Sequence, residues 1–308
     1  MRVFVAGATG VIGRCLLPRL ARDGHEVVGM TRKEERTDLI RDLGAEPVVA
    51  DAFDLDGLRQ AVTDARPEVV IHELTDIPRS IDPKKFAEQF EVNNRLRREG
   101  TRNLVAAAQA VGARRLIAQS IAFVYAYGGG VLHREEDPLA LELGDIVTAV
   151  ADLEEAVTGA DGIEGVVLRY GYFYGPGTSY ASDGAQAEMV RKRRFPIVGR
   201  GAGVFPFIHV DDAAAATVGA LDRGGPGIYN VVDDDPAPVH EWLPVLADAL
   251  GAKKPWRVPV FLARWMGGDY AVQLMTRAEG AVNDKAKDEL GLELRFPSWR
   301  RGFAEALG

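Results

Sequence analysis

The sequence has almost no cysteine: Cys15 is the only one in 308 residues. No disulfide can close within the chain, and no cluster of thiolates can hold a metal. Cys15 lies among apolar neighbours on a predicted helix, which suits a small buried hydrophobe better than a nucleophile. A positive excess is also missing. Lysine and arginine number 37 against 45 acidic residues, a net charge of -8. A nucleic-acid partner is therefore not expected, because phosphate-binding surfaces carry surplus cations. The one dense basic run, Arg191 to Arg194, suits a solvated helix end. No apolar run approaches the roughly 18 residues that span a bilayer. Met1-Arg2-Val3-Phe4-Val5 enters a strand pattern directly, with no signal-peptide character. A cytoplasmic location and no membrane partner are expected.

What is present is an alternation of short apolar strands and amphipathic helices. Strands are predicted at Val3–Ala6, Glu26–Met30, Glu46–Ala50, Val69–His72, Arg115–Gln119 and Gly165–Tyr170, with helical stretches at Val11–Arg22, Leu55–Thr63 and Lys84–Val111. Strands of four to six apolar residues separated by helices imply a parallel sheet covered on both faces. After about residue 175, loops rich in glycine and proline alternate with short helices such as Val239–Leu250 and Pro259–Met266, and Gly227–Val232 reads as a late strand. The expected fold class is α/β: a Rossmann-like doubly wound parallel sheet with a smaller, mostly helical C-terminal substrate lobe. Residues 1–175 would form the dinucleotide-binding domain, joined by strand 227–232 and segment 205–222. Residues 176–308 would form mainly the substrate lobe, closing over the carboxyl ends of the strands.

The first strand runs into Gly7-Ala8-Thr9-Gly10-Val11-Ile12-Gly13 and then a helix. The first glycine permits the tight turn, the second lets backbone approach a pyrophosphate, and the third lets helix and strand pack closely. The helix N-terminus then offers N–H groups and a positive dipole end to phosphate. Gly7, Thr9, Gly10, Val11, Ile12 and Gly13 are thus candidate cofactor residues. At the end of the second strand, an NAD site would place an acidic residue for the ribose hydroxyl. Here Thr31, Arg32 and Lys33 stand, with Arg36 close behind. A guanidinium suits a 2′-phosphate, so NADP is expected over NAD, with Thr31 and Arg32 at that end. Asp51 could accept from the adenine amino group or cap the following helix.

With these residues in hand, the chain resembles the extended short-chain dehydrogenase/reductase family, the NAD-dependent epimerase/dehydratase branch. The resemblance rests on the glycine motif, Gly100-Thr101-Arg102-Asn103-Leu104, Leu168-Arg169-Tyr170-Gly171 with Tyr174-Gly175-Pro176-Gly177, Phe207-Ile208-His209-Val210-Asp211-Asp212-Ala213, and Tyr229-Asn230-Val231. It implies a nicotinamide cofactor, a small-molecule substrate and commonly a homodimer. It also puts His72, at the end of the fourth strand, behind the cofactor.

The catalytic pair that this resemblance implies, Tyr-x-x-x-Lys on the helix after the fifth strand, is absent. The helix of about Asp145–Val157 has no tyrosine or lysine, and none of the eight tyrosines has a lysine four residues later. The chain reads as an atypical member. The family's serine or threonine after the fifth strand falls on Ile121, with Ser120 one residue earlier. Asn93-Asn94 precedes Gly100 by three residues more than the family spacing. Candidate groups to replace the pair are Tyr125, Tyr127 and Ser120, each alternatively a wall or a strand-end hydroxyl. Tyr172, Tyr174 and Tyr180 would shape the pocket, with Arg169 and Arg277 as isolated cations. Trp242, Trp256, Trp265 and Phe261 suit either an aromatic substrate or helix packing. His209, Asp211 and Asp212 suit a hinge, and no metal is expected because no convergent ligand set exists. The expected function is an NAD(P)-dependent oxidoreductase acting on a small organic carbonyl or alcohol. An isomerase, epimerase or lyase using the cofactor otherwise, or an NADP-binding sensor, are the alternatives.

Overall fold

The computed structural model describes residues 1–78, 81, 85–128 and 132–307. Seven strands are β1 (Arg2–Ala6), β2 (Glu26–Thr31), β3 (Glu46–Val49), β4 (Val69–His72), β5 (Arg115–Ile121), β6 (Glu164–Tyr170) and β7 (Gly227–Val231). They form one sheet, ordered β7-β6-β5-β4-β1-β2-β3, with every pairing parallel. All four residues of β4 are buried, so the strand shows none of the alternation of a half-exposed sheet. Ala6 pairs with Met30 on one side and His72 on the other. The order reverses between β1 and β4, and a crevice for ligands opens at such a switch point.

Helices α1 (Val11–Arg22) and α8 (Val210–Gly219) cover one face. Ile12, Leu16, Leu17 and Leu20 make the buried stripe of α1 at helical spacing. Between them in sequence, α2 (Thr37–Asp42), α3 (Leu55–Ala65), α4 (Phe86–Arg95), α5 (Thr101–Ala110), α6 (Asp145–Thr158) and α7 (Ala185–Arg191) follow. The second face is closed by α3, α5 and α6, through Leu58, Val62, Leu104, Ala108, Leu153 and Val157. Asp54 caps α3 by accepting from Gly57 N–H at 3.1 Å, which answers the alternative role considered for Asp51. The helical run expected over 84–111 is two helices joined by a π-helical turn, Leu96–Gly100; Lys84 lies outside the described residues. Cys15 is half-buried, more open than expected, and packs against the α1 side of the core.

The C-terminal helices are α9 (Val239–Ala249), α10 (Val260–Arg277), α11 (Asp284–Leu290) and α12 (Trp299–Leu307). Trp242, Trp299, Phe205, Phe207 and Phe303 fill the core of the smaller lobe together with Tyr174 and Tyr180. Trp242 is therefore packing, whereas Phe261 and Trp265 are 72% and 82% exposed. The lobe is tied to the sheet by two buried carboxylates. Asp212 accepts from Arg295 and Phe296 N–H, and Asp233 from Trp299 N–H. His209, at the start of α8, accepts from Asp211 N–H, so this segment is a structural joint. No helix among the described residues is long and apolar enough to cross a membrane.

Candidate functional site

The glycine loop lies at the carboxyl end of β1. Gly7 has φ of +95°, and a Cβ there would stand 2.4 Å from the Glu73 carbonyl oxygen. A Cβ on Gly13 would meet the Gly7 and Ala8 carbonyl oxygens at 2.5 Å. Both positions therefore demand glycine for space, and Gly7 for conformation as well. Gly10 precedes α1 with no side-chain cap on the helix, which leaves first-turn N–H groups available for a phosphate. This cradle fits a dinucleotide, and Gly7, Thr9, Gly10, Val11, Ile12 and Gly13 could hold its pyrophosphate. Sequence reasoning passed over Arg14. Its Nη2 would lie 3.2 Å from a Cβ on Gly177, so this cation links the first turn of α1 to the Tyr174–Gly177 loop. Its signal was a cation four residues after Gly10.

At the adenosine end, Arg36 Nη1 comes to 3.5 Å from Thr9 Oγ1. Arg32 is exposed. Thr31 is buried, its hydroxyl accepting from Lys33 N–H. Asp51 holds Phe53 N–H at 3.0 Å. The cation that reaches the glycine loop is thus Arg36, four residues beyond the one singled out.

His72 is 1% exposed, and both its ring nitrogens are engaged. Nδ1 accepts from Leu74 N–H at 3.2 Å, so Nε2 carries the proton toward Thr101 Oγ1 at 3.0 Å. Burial pulls its pKa down to about 4, and it stays neutral inside the fold. Glu73, beside it, has one carboxyl oxygen accepting from Tyr170 OH and the other without a partner among the described residues. Burial pushes this carboxyl up to about 8. It is protonated in the fold at neutral pH and ionised in the unfolded chain. Stability is therefore lost as pH rises from about 4.5 to about 8. Glu73→Gln should melt above the unsubstituted protein by about 4 °C or more at pH 9, and match it near pH 5. Scanning calorimetry at both pH values checks this; equal melting at pH 9 would count against it.

At the end of β5 and just beyond it, the expected hydroxyls separate. Ser120 OH donates to Glu154 Oε1 at 2.7 Å. Tyr125 OH donates to Asn230 Oδ1 at 2.6 Å and accepts from Arg169 Nη1 at 2.8 Å. Arg169 in turn grips both Glu154 oxygens, at 2.8 and 2.7 Å. Ser120, Tyr125, Glu154, Arg169 and Asn230 form one buried network, in which burial pushes the Tyr125 phenol up to about 12. Both hydroxyls are committed to protein partners. Tyr127 instead lines a cleft of about 460 Å³ with Gly128, Ala202, Val204, Thr276 and Arg277. Burial raises its phenol well above the ordinary value. A second cleft, of about 320 Å³, lies at the far end of the sheet beside Met1, His25 and α8, away from the glycine loop.

The face of α6 turned toward the end of β5 is apolar. Ile146 and Val150, four residues apart and so neighbours on one face, are buried with Val147, Val124 and Phe90. Phe123 stacks on Tyr172 at 4.0 Å between ring centroids, and Tyr172 on Phe205 at 4.5 Å. The Tyr172 hydroxyl is buried without a partner among the described residues. Tyr174 and Tyr180 belong to the lobe core rather than to this wall. No group of three histidine, cysteine or acidic residues that could hold a metal lies among the described residues.

Comparison with known proteins agrees with this geometry. The NAD dependent epimerase/dehydratase family matches residues 3–231. The chain is 45% identical over 309 residues to a 3-diazoavenalumate denitrifying reductase of a Streptomyces species, covering 98% of this chain and 99% of that protein. Its fold is similar to that of UDP-glucose 4-epimerase from Thermotoga maritima with UDP-glucose, at a TM-score of 0.80 and 20% identity, covering 99% and 97% of the two chains. It is also similar to UDP-glucose 4-epimerase from Thermus thermophilus in complex with NAD, at 0.76 and 23%, covering 99% and 97%.

Proposed function

The chain belongs to the NAD dependent epimerase/dehydratase family as an NAD(P)-dependent oxidoreductase of the extended short-chain type, and within it we propose a reductase for aromatic diazonium compounds. The observation that carries this reading is the apolar face of α6, where Ile146 and Val150 stand beside Val124. A carbonyl that accepts hydride becomes an alkoxide and needs a proton donor at that moment. A diazonium is already cationic, and hydride neutralises it without creating an oxyanion. A reduced nicotinamide, when bound, supplies the hydride: Ar–N₂⁺ gains it at the terminal nitrogen to give the neutral diazene Ar–N=N–H, whose N–H and C–N bonds then break, so that N₂ leaves and the aryl carbon takes the C–N electron pair and one proton, equal to the one released from nitrogen, to give Ar–H. Only hydride and one substrate enter, so charge and atoms balance with no protein acid. Ile146, Val147 and Val150 would keep water from the reacting ring, and Phe123, held in place by its stack on Tyr172, would pack against it. The 45% identical relative, named for reducing and denitrifying a diazo carboxylate, supports the same reading.

Tyr127 favours a second reading, a small organic carbonyl or alcohol, because it is the expected hydroxyl that lines the cleft. The two separate on one experiment. With 4-methoxybenzenediazonium and NADPH, the protein should release one N₂ per NADPH oxidised, well above the enzyme-free rate, and Tyr127→Phe should change that rate by less than about threefold. NADPH loss without N₂, or a rate that collapses in Tyr127→Phe, would favour the carbonyl reading.

NADP is proposed over NAD, supported by the Arg36–Thr9 contact at the adenosine end. Arg36→Ala should weaken NADPH binding by about tenfold and leave NADH unchanged, the loss expected for one charge-assisted hydrogen bond. Arg32→Ala should do less. Fluorescence titration with both cofactors checks this, and equal losses for the two would contradict it. The same reading carries a homodimer and a cytoplasmic location, to be measured by sedimentation and fractionation.

A further inference from the structure

Arg97 sits in the π-helical turn Leu96–Gly100 and is only 9% exposed. A guanidinium has five N–H donors. Here Nη1 alone finds partners, both at long range: Asn94 Oδ1 at 3.5 Å and the Ile146 carbonyl at 3.4 Å. Neither Nε nor Nη2 makes a hydrogen bond among the described residues, and neither is sealed from solvent like the orphaned atoms of Asn93 and Tyr172. By contrast, its neighbour Arg98 is fully paired with Asp145 and Asp152. Burial pulls Arg97 down to about 10, so it still carries its charge at neutral pH. Glu154 is within electrostatic range of Arg97, but both its oxygens are already gripped by Arg169; a buried cation with no counter-ion of its own is costly, and a fold keeps one where an anion arrives from outside.

The surroundings say where that anion would lie. The Ile146 carbonyl places the guanidinium at the first turn of α6, beside the apolar face that would border the reacting ring. Tyr270 of α10 is within electrostatic range of Arg97, and also of the Tyr127 and Tyr172 phenols. Phe86 packs on Tyr270 at 4.7 Å and on Phe90 at 4.6 Å. The guanidinium thus stands near Tyr270, which is also an electrostatic neighbour of Tyr127, and Tyr127 lines the cleft. The π-turn adds backbone between the asparagines and Gly100, and such turns recur at functional sites.

We propose that Arg97 is a specificity-determining residue that binds a carboxylate carried by an aromatic substrate, fixing which end of the ring faces the nicotinamide. It rests on the proposed aromatic substrate, though not on diazo chemistry. Two donors on one edge, Nε and Nη2, match the two oxygens of a carboxylate. Aryl amides and alkyl esters of the same outline would leave the charge unpaired.

Calorimetric binding of benzoate and benzamide to the NADP⁺-loaded protein tests this without turnover. The unsubstituted protein should bind benzoate about tenfold or more tighter than benzamide. Arg97→Gln should bind both alike, with NADP⁺ affinity unchanged, and Arg97→Lys should keep a reduced preference. Arg277→Gln, in the cleft, should keep the full preference. No preference in the unsubstituted protein, or a preference lost in Arg277→Gln and kept in Arg97→Gln, would overturn the assignment. If Arg97→Gln does not fold, the unsubstituted protein, Arg97→Lys and Arg277→Gln still decide it. A benzoate preference without N₂ release would retain Arg97 and discard the diazonium.

Discussion

Replacing Arg169 with methionine should cost the fold about 3–5 kcal/mol, the range for breaking one side of a buried ion pair. Arg169 and Glu154 are 3% and 5% exposed at their side chains. The guanidinium also donates to Tyr125 OH and the Glu135 carbonyl. Its loss would leave a buried carboxylate held, among the described residues, only by the Ser120 hydroxyl, far from the water that would otherwise solvate it. A domain of this kind has about 5–15 kcal/mol in total, so the variant should be near the edge of folding at 37 °C. Removing both charges is a different case. Glu154→Leu with Arg169→Met should recover most of the loss, because two apolar side chains of similar volume leave no charge stranded. Urea unfolding of the single and double variants measures both. A single variant within about 1 kcal/mol of the parent would show that the network is solvated rather than buried.

Gly7→Ala should abolish cofactor binding, with an affinity loss of about a hundredfold or more. The methyl group would stand 2.4 Å from the Glu73 carbonyl oxygen and 2.5 Å from its carbon, on a backbone whose φ is +95°. Backbone cannot step aside as a flexible side-chain tip can, so the loop itself must shift. The displaced loop would take the first N–H groups of α1 out of position for the phosphates. Gly24, with φ of +82° and nothing within 4 Å, is the control. Gly24→Ala shares the backbone strain but not the clash, and should keep its cofactor affinity. Titration with NADPH distinguishes them, and equal affinities in Gly7→Ala and Gly24→Ala would contradict the role of the cradle.

The sheet was legible in the sequence because its information is local. Runs such as Val69–Ile71 are apolar throughout, and only a strand covered on both faces tolerates that pattern. The glycine loop was legible for the same reason, since strand, turn and helix follow one another within fifteen residues. Side-chain partners were not legible. Tyr125 meets Asn230 across 105 positions, and Ser120 meets Glu154 across 34, so nothing near either residue reveals that its hydroxyl is taken. Arg36 closes the short 3₁₀ turn Glu34–Arg36 and reaches Thr9, whereas Arg32 lies before that turn, a difference that residue type does not reveal. The spacing between Asn94 and Gly100 did show extra residues, but not that a π-turn absorbs them and turns Arg97 inward. The empty helix face was visible as the absence of tyrosine and lysine. The structure adds that Ile146 and Val150 fill that face with apolar packing.

The central claim is that hydride leaves the cofactor with no proton moving from the protein. Single-turnover NADPH oxidation by 4-methoxybenzenediazonium, followed in H₂O and in D₂O, tests it most directly, with 4-methoxyacetophenone as the carbonyl comparison. The account predicts rapid oxidation by the diazonium, a rate ratio near one between the two solvents, and no reduction of the ketone. Reduction of the ketone with a solvent isotope effect of about two or more, and no oxidation by the diazonium, would contradict it.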